Sequence, residues 1–258
     1  MKPASSVIIA FAAMLATAGA AHADPAGDIV AAADKVRNPG APFRSTNTLT
    51  EYVRGKPSNQ NVITVYSKLD PATHQYRNLV RYEQPARDAG KMVLLDRFSL
   101  WFYDPASRAS VRISAQQRVT GQASVADVLN VNLAADYHAT IVGEESIADA
   151  DKVPRQCYHL DMHAADDLAT YNRVEYWVEK GTNHPIKAKV YADSGRLLKT
   201  LYYRGFKERT GAVRPSEAVI IDAVDPTLVT TLDFGELVLQ DIPESWFQRE
   251  NLARLQVR

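Results

Sequence analysis

Along most of this chain apolar and polar residues alternate one by one, the pattern of strands that bury one face and wet the other. In residues 75–84, Tyr76, Val80 and Tyr82 share one face while Arg77, Arg81 and Glu83 share the other. The pattern returns at Leu160 and Met162 against His159 and Asp161, and at Val174, Tyr176 and Val178 against Arg173, Glu175 and Glu179. It returns again at Ile186, Ala188 and Val190 against Lys187 and Lys189. One wet face and one dry face predict antiparallel sheet rather than βαβ units. Turn signals at Asp70-Pro71, Asp104-Pro105, Gly181 to Pro185, Asp193-Ser194-Gly195 and Thr210-Gly211 stand at hairpin distances. The reading is about eleven strands, most joined to their neighbours by tight turns. Neither a Gly/Ser linker nor a charge block divides them, so residues 24–258 read as one domain.

Three segments depart from this pattern. Near the start, Ile29, Val30, Ala33 and Val36 fall at helical spacing until Asn38-Pro39-Gly40, which predicts one short amphipathic helix. Residues 91–105, KMVLLDRFSLWFYDP, are apolar at both parities. Such a run is either a pair of central strands covered on both sides or a wall of a hydrophobic cavity. Residues 112–137 form a polar arm that then turns helical. There Ser124 and Asp127 have the spacing of a capping box, and Val125, Val128, Leu129 and Leu133 make an apolar stripe. A helix inserted between two strands cannot lie in the sheet plane, so it must cross the dry side, as a lid or as a fixed piece of core. At the far end, residues 244–258 read as an amphipathic turn or two that packs Trp246, Phe247 and Leu252 against the sheet or serves as a docking tail.

The first 23 residues change the picture of where this fold lives. A lysine at position 2, an apolar alanine-rich run and a small-x-small ending at Ala21-His22-Ala23 have the form of a cleaved secretory leader. The run is about 15 residues where a bilayer span needs roughly 20, so a leader fits and an anchor does not. The expected compartment is the periplasm. Thirty basic side chains against thirty acidic ones leave no positive field for nucleic acid. A single cysteine, Cys157, permits no internal disulfide.

Candidate chemistry is sparse. His159, Asp161 and His163 share one face of a strand, but the opposite face holds Leu160 and Met162, so the triplet points to solvent and metal binding is not expected. Cys157 lies on a predicted strand, where a buried structural thiol is expected rather than a nucleophile. Glu144-Glu145 and Asp166-Asp167 fall in turns, as solvated charge. With no nucleophile elbow, phosphate loop, dinucleotide fingerprint or HExxH, the chain is expected to bind rather than to catalyse, and to need no cofactor.

Residues 96–145 carry Leu100-Trp101, Tyr103 and Pro105, then Arg112-Ile113-Ser114, Gln117-Arg118, Gly121 to Ser124, Asp127 and Asp136-Tyr137. Farther on come Cys157-Tyr158-His159-Leu160, Tyr176-Trp177-Val178, Pro185-Ile186-Lys187-Ala188 and Gly195-Arg196-Leu197-Leu198-Lys199. From about Met92 to Phe247 the chain thereby resembles the outer membrane lipoprotein-sorting protein family, LolA-like relatives of a periplasmic lipoprotein carrier. The resemblance implies a mainly β (α+β) fold: one curved antiparallel sheet forming an incomplete barrel, with helices over its hydrophobic concave side. It implies a monomeric carrier that takes a lipid or acylated lipoprotein across the periplasm with transient membrane contact. An inner-membrane transporter of ABC or RND type and an outer-membrane acceptor would be its partners; a regulatory or scaffold partner of an exporter is the alternative. On this reading Met92, Leu94, Trp101, Tyr103, Val174, Tyr176 and Val178 line the cavity. Val125, Val128, Leu129 and Leu133 form the lid, and Arg112 and Arg118 hold it closed, meet a head group or make ordinary surface ion pairs.

Overall fold

The computed structural model describes residues 24–96, 99–166 and 169–255. The leader read over residues 1–23 lies outside the described residues, as do Arg97 and Phe98 of the doubly apolar run and Asp167 of the acidic pair.

Helix α1 (Pro25–Arg37) opens the described chain, with Asp24 accepting from the Gly27 amide at 3.0 Å and Pro25 at the first position, where its missing N–H costs nothing. Six strands follow: β1 (Phe43–Val53), β2 (Lys56–Leu69), β3 (Tyr76–Gln84), β4 (Met92–Asp96), β5 (Ser99–Asp104) and β6 (Ala109–Ile113). The departure at 112–137 becomes a small hairpin, β7 (Arg118–Thr120) and β8 (Ala123–Ser124), then two single-turn helices, α2 (Val125–Val128) and α3 (Leu133–Asp136). Strands resume with β9 (Tyr137–Ala148), β10 (Pro154–Ala164), β11 (Arg173–Glu179), β12 (Pro185–Tyr191) and β13 (Leu197–Arg204). A second small hairpin, β14 (Lys207–Arg209) and β15 (Ala212–Arg214), precedes β16 (Glu217–Asp222) and β17 (Leu228–Leu239). Two short 3-10 turns, Glu244–Phe247 and Arg249–Arg254, come last among the described residues.

Thirteen strands form one antiparallel sheet in the order β6-β5-β4-β3-β2-β1-β17-β16-β13-β12-β11-β10-β9. The sheet is curved and does not close: β6 and β9 are its two free edges. Strand β1 pairs with β17 over ten registered positions, so the two ends of the described chain meet at the middle of the sheet. From there β1 to β6 run out to one edge, and β9 to β17 run back from the other. The link between β6 and β9, residues 114–136, therefore has to cross the whole inner face.

The inner face is the dry one. Leu49, Ile63, Val65, Val80, Val93, Leu160, Met162, Val174, Tyr176 and Val178 join Val30 and Ala33 of α1 and Val125, Val128 and Leu129 of the arm in one buried cluster. The alternation read from the sequence is seen here, with one exception. A bulge between Trp177 and Val178 against Pro185 and Lys187 turns Ile186 to the outer face, where it packs with Cys157 and Trp177. Ala188 and Val190 remain inside as expected. Burial pushes the Cys157 thiol up to about 12, in keeping with an inert structural cysteine.

The run 91–105 is covered on both faces, though β4 and β5 stand near the β6 edge rather than at the centre. Val93, Leu95, Leu100 and Phe102 face inward. Met92, Leu94, Trp101 and Tyr103 face outward, with Tyr66 and Leu79, under a cap made by Ile242, Trp246, Phe247 and Leu252 of the C-terminal turns. Trp246 meets the Tyr66 ring edge-on at 5.1 Å, Arg249 lies over the Trp101 ring at 3.8 Å, and Glu244 bridges Lys68 and Arg77, each at 2.6 Å. Of the two readings of the tail, packing against the sheet is the one the structure takes.

Candidate functional site

Four of the seven cavity residues expected from the sequence are therefore misplaced. Met92, Leu94, Trp101 and Tyr103 belong to the face under the C-terminal turns and reach neither inner cavity. In a run apolar at both parities nothing local says which parity is inside, and a shift of one residue exchanges the faces. Val174 and Tyr176 do line a cavity; Val178 lies on the same inner face, buried deeper.

The arm lies over this face and is tied down along its length. At its first hairpin, Gly121 takes φ +52 and stands so close to Thr230 and Glu51 that a Cβ would collide with both. The Gln122 amide donates to Thr230 Oγ1 at 2.8 Å, and Asn61 donates to Thr120. The capping box forms as the spacing predicts: the Ser124 amide and hydroxyl both donate to Asp127 Oδ2, at 2.7 and 2.8 Å. That carboxylate also receives the Lys199 ammonium from β13, in a pair almost wholly withdrawn from water. Lys199 adds a bond to Ser124 Oγ at 3.2 Å and sits 5.3 Å from the Tyr171 ring centre. Burial alone would lower the Lys199 pKa, but the Asp127 charge and Tyr171 outweigh it and the net shift is upward.

Amide side chains fix the next stretch. Asn130 exchanges bonds with Asn78, 3.1 Å from its backbone amide and 2.9 Å to its carbonyl, and its side chain donates to Ser67 at 2.7 Å. The Val131 carbonyl accepts from Arg37 at 2.8 Å and Asn38 at 3.0 Å. Gln75 accepts from the Asn132 amide at 2.7 Å, and Asp34 of α1 accepts from the Ala134 amide at 2.9 Å. Burial pushes the Asp34 carboxyl up to about 6, against the opposing influence of Arg37, which stands 3.6 Å away.

The lid expected at Val125, Val128, Leu129 and Leu133 is thus two one-turn helices in an extended arm rather than one helix. Val125, Val128 and Leu129 are buried against the sheet, and Leu133 is half-buried at a cavity wall. The arginines read as holding it closed do not do so. Arg112 and Arg118 are exposed and make no side-chain hydrogen bond or ion pair among the described residues; Arg112 borders a cavity rim. Lys199, Arg37 and the amides of Gln75, Asn78 and Asn130 take that role. Lys199 carries a sequence signal: it shares parity with Leu201 and Tyr203, a lone ammonium on a dry face.

Two cavities flank the arm. One, of about 150 Å³, lies between the arm, the end of α1 and the sheet near β11 to β13, walled by Val174, Val190, Leu201 and Phe234. The other, of about 270 Å³, lies toward the β6 edge by Leu95, Leu100 and Ile113. Ala126, Leu129 and Val131 line both, so the arm is the partition between them. A dry cavity of 150 Å³ admits a benzene-sized guest, so in this closed form neither space takes a long acyl chain whole.

The triplet lies on the outer face as read, but His159 is half-buried there rather than turned to solvent. His163 stands 3.3 Å from Asp161, Asp161 accepts from Arg173 at 2.8 Å, and His159 stacks on Trp177 at 4.3 Å. Among the described residues no cluster of three or more metal-ligating side chains is found, and no helix is long and apolar enough to cross a membrane.

Residues 74–254 match a family model whose description reads "-like: Uncharacterized protein". No curated protein matches the chain. Among solved structures, a LolA superfamily protein of Nitrosomonas europaea is 30% identical, with a TM-score of 0.77 over 87% of this chain and 98% of its own. An outer membrane lipoprotein-sorting protein domain of Vibrio parahaemolyticus is 18% identical, with a TM-score of 0.72 over 89% of this chain and 98% of its own. A DUF1329 family protein of Desulfovibrio piger is 21% identical, with a TM-score of 0.74 over 88% and 97%. The last two show the fold alone.

Proposed function

The chain belongs to the LolA superfamily, and from that premise we propose that it is a periplasmic carrier. It holds the acyl chains of a lipoprotein or another lipid between the sheet and the arm, and moves them between membranes without chemistry. The observation that carries this reading is the partition. Lifting Ala126, Leu129 and Val131 joins two partly apolar spaces into one groove across the inner face. Each methylene buried there contributes about 0.8 kcal/mol, which offsets the polar bonds the arm gives up. Those polar bonds can be exchanged for bonds to water, as a cover that must open again requires. Donor and acceptor are, on this reading, an inner-membrane transporter and an outer-membrane site.

Native mass spectrometry of the protein purified gently from periplasm, with denaturing extraction of anything bound, tests this. A stoichiometric lipid or acylated peptide, lost in Leu129→Asp and Val174→Asp, supports the carrier. A clean apo mass with no uptake of added lipid overturns it and leaves a scaffold, a reading favoured by how nearly the arm fills the inner face.

A further inference from the structure

Resting on the carrier reading, we propose that the cavity beside α1 holds a head-group site for an anionic oxygen group, a carboxylate or phosphate on an acyl chain, formed by Arg37, Arg209, Asn47 and Tyr176.

That cavity has a mixed lining. Val174, Val190, Leu201 and Phe234 supply apolar wall, and three guanidiniums, from Arg37, Arg209 and Arg214, border the same space. The β14–β15 hairpin supplies two of them. Its reversal at Thr210 and Gly211, both at positive φ, folds Arg209 and Arg214 toward the mouth. Among the described residues neither of these two has a carboxylate within ion-pair distance. Arg209 donates to the Gly235 carbonyl, and Arg214 to the carbonyls of Lys35 and Val36, at 2.8 and 2.9 Å, where it caps α1. Burial lowers the pKa of both, the mark of desolvated cations without a countercharge. The carboxylate beside Arg37 is Asp34 at 3.6 Å, itself driven toward its neutral form by burial. The two other carboxylates on the lining are engaged: Asp127 by Lys199, and Asp136 by Gln75 at 2.8 Å.

A second observation comes from the buried polar groups of the lining. Tyr176, 1% exposed, has its hydroxyl within hydrogen-bond reach of the Arg37 guanidinium. Asn47, 3% exposed, leaves its amide oxygen without a hydrogen-bond partner; buried polar atoms are almost always satisfied, so this amide marks a place where a polar guest belongs, and a half-turn presents its NH2 to an anionic oxygen. The Tyr176 hydroxyl is held far above its ordinary pKa by burial and stays a donor. Guanidinium forks and a phenol match the oxygens of a carboxylate or phosphate, and a neutral glyceride cannot compensate the charge. The inference selects an anionic lipid over the uncharged anchor of a lipoprotein.

Calorimetry on the delipidated chain with oleate, 1-oleoyl lysophosphatidic acid, oleyl alcohol and monooleoylglycerol tests it. Both anions are expected to bind about tenfold or more tightly than the two neutral ligands, and the tighter anion names the head group. Arg209→Gln, which gives up the bond to the Gly235 carbonyl, and Tyr176→Phe, which gives up the contact with Arg37, should each collapse the anion-to-alcohol ratio toward one at an unchanged melting temperature. Equal affinities for anions and neutral ligands overturn the head-group site while the carrier reading stands. An anion preference that survives both substitutions overturns it as well, and binding of none of the four overturns both readings.

Discussion

Two side chains, Lys199 and Asp34, carry the electrostatics of the closed arm. The Lys199–Asp127 pair is nearly dry, and removing one partner of such a pair costs about 3–5 kcal/mol because the other charge is stranded. Lys199→Met should lower stability by that order in urea unfolding, and Lys199→Met with Asp127→Asn should recover most of the loss. A double variant as unstable as the single one sinks the pairing. For Asp34 the folded-state value of about 6 lies above the ordinary 3.8, so the folded protein holds this proton more tightly. Its contribution is therefore full below the ordinary value and is lost as pH rises through about 6. Melting temperature measured from acid to neutral pH should fall less steeply in Asp34→Asn than in the wild type; parallel curves refute the assignment. Arg37 and Asp136 are the charges that act on this carboxyl, pulling in opposite directions.

At the scale of elements, the arm and the C-terminal turns cover opposite faces of the same strands and are expected to behave differently. The arm rests on two four-residue helices, too short to be stable alone, and on a chain of side-chain amides. Hydrogen exchange over residues 114–136 should therefore precede exchange in β1 and β17, and Asn130→Ala should speed it about tenfold, the loss of one or two buried bonds. Uniform protection across arm and sheet overturns the view of the arm as a separable cover. The C-terminal turns, by contrast, bury aromatic rings: Phe247→Ala should cost about 3–5 kcal/mol and leave lipid uptake intact, because Met92, Leu94, Trp101 and Tyr103 beneath it lie on the outer face. Loss of uptake at full stability in this variant would return those residues to the binding site.

For the whole molecule the deciding feature is topological. Because β1 pairs with β17, the chain's middle connection, not its ends, must bridge the two free edges. The cover is thus held at both ends by edge strands and can lift only as a strap, with its polar ties to β2, β3, β13 and α1 broken together. A bound lipid should release those ties, so saturating ligand is expected to raise exchange at Asn130 and Asn132 while it raises the melting temperature. Ligand that protects the arm instead would mean that the guest enters from outside the partition.

Much of this was written in the sequence by itself. Period-two burial fixed the strands of β3, β10 and β11, helical spacing fixed α1, and the Ser124–Asp127 spacing fixed the cap of α2, because each depends on contacts within a few residues. The resemblance carried by residues 96–145 gave the curved open sheet and the arm. Only the tertiary structure decided which face of 91–105 is inward, that a bulge turns Ile186 outward, that Lys199 rather than Arg112 or Arg118 anchors the arm, and that Arg37, Arg209, Asn47 and Tyr176 share one cavity wall. Those outcomes depend on strand register and on partners up to more than 170 residues away, and spacing along the chain records neither.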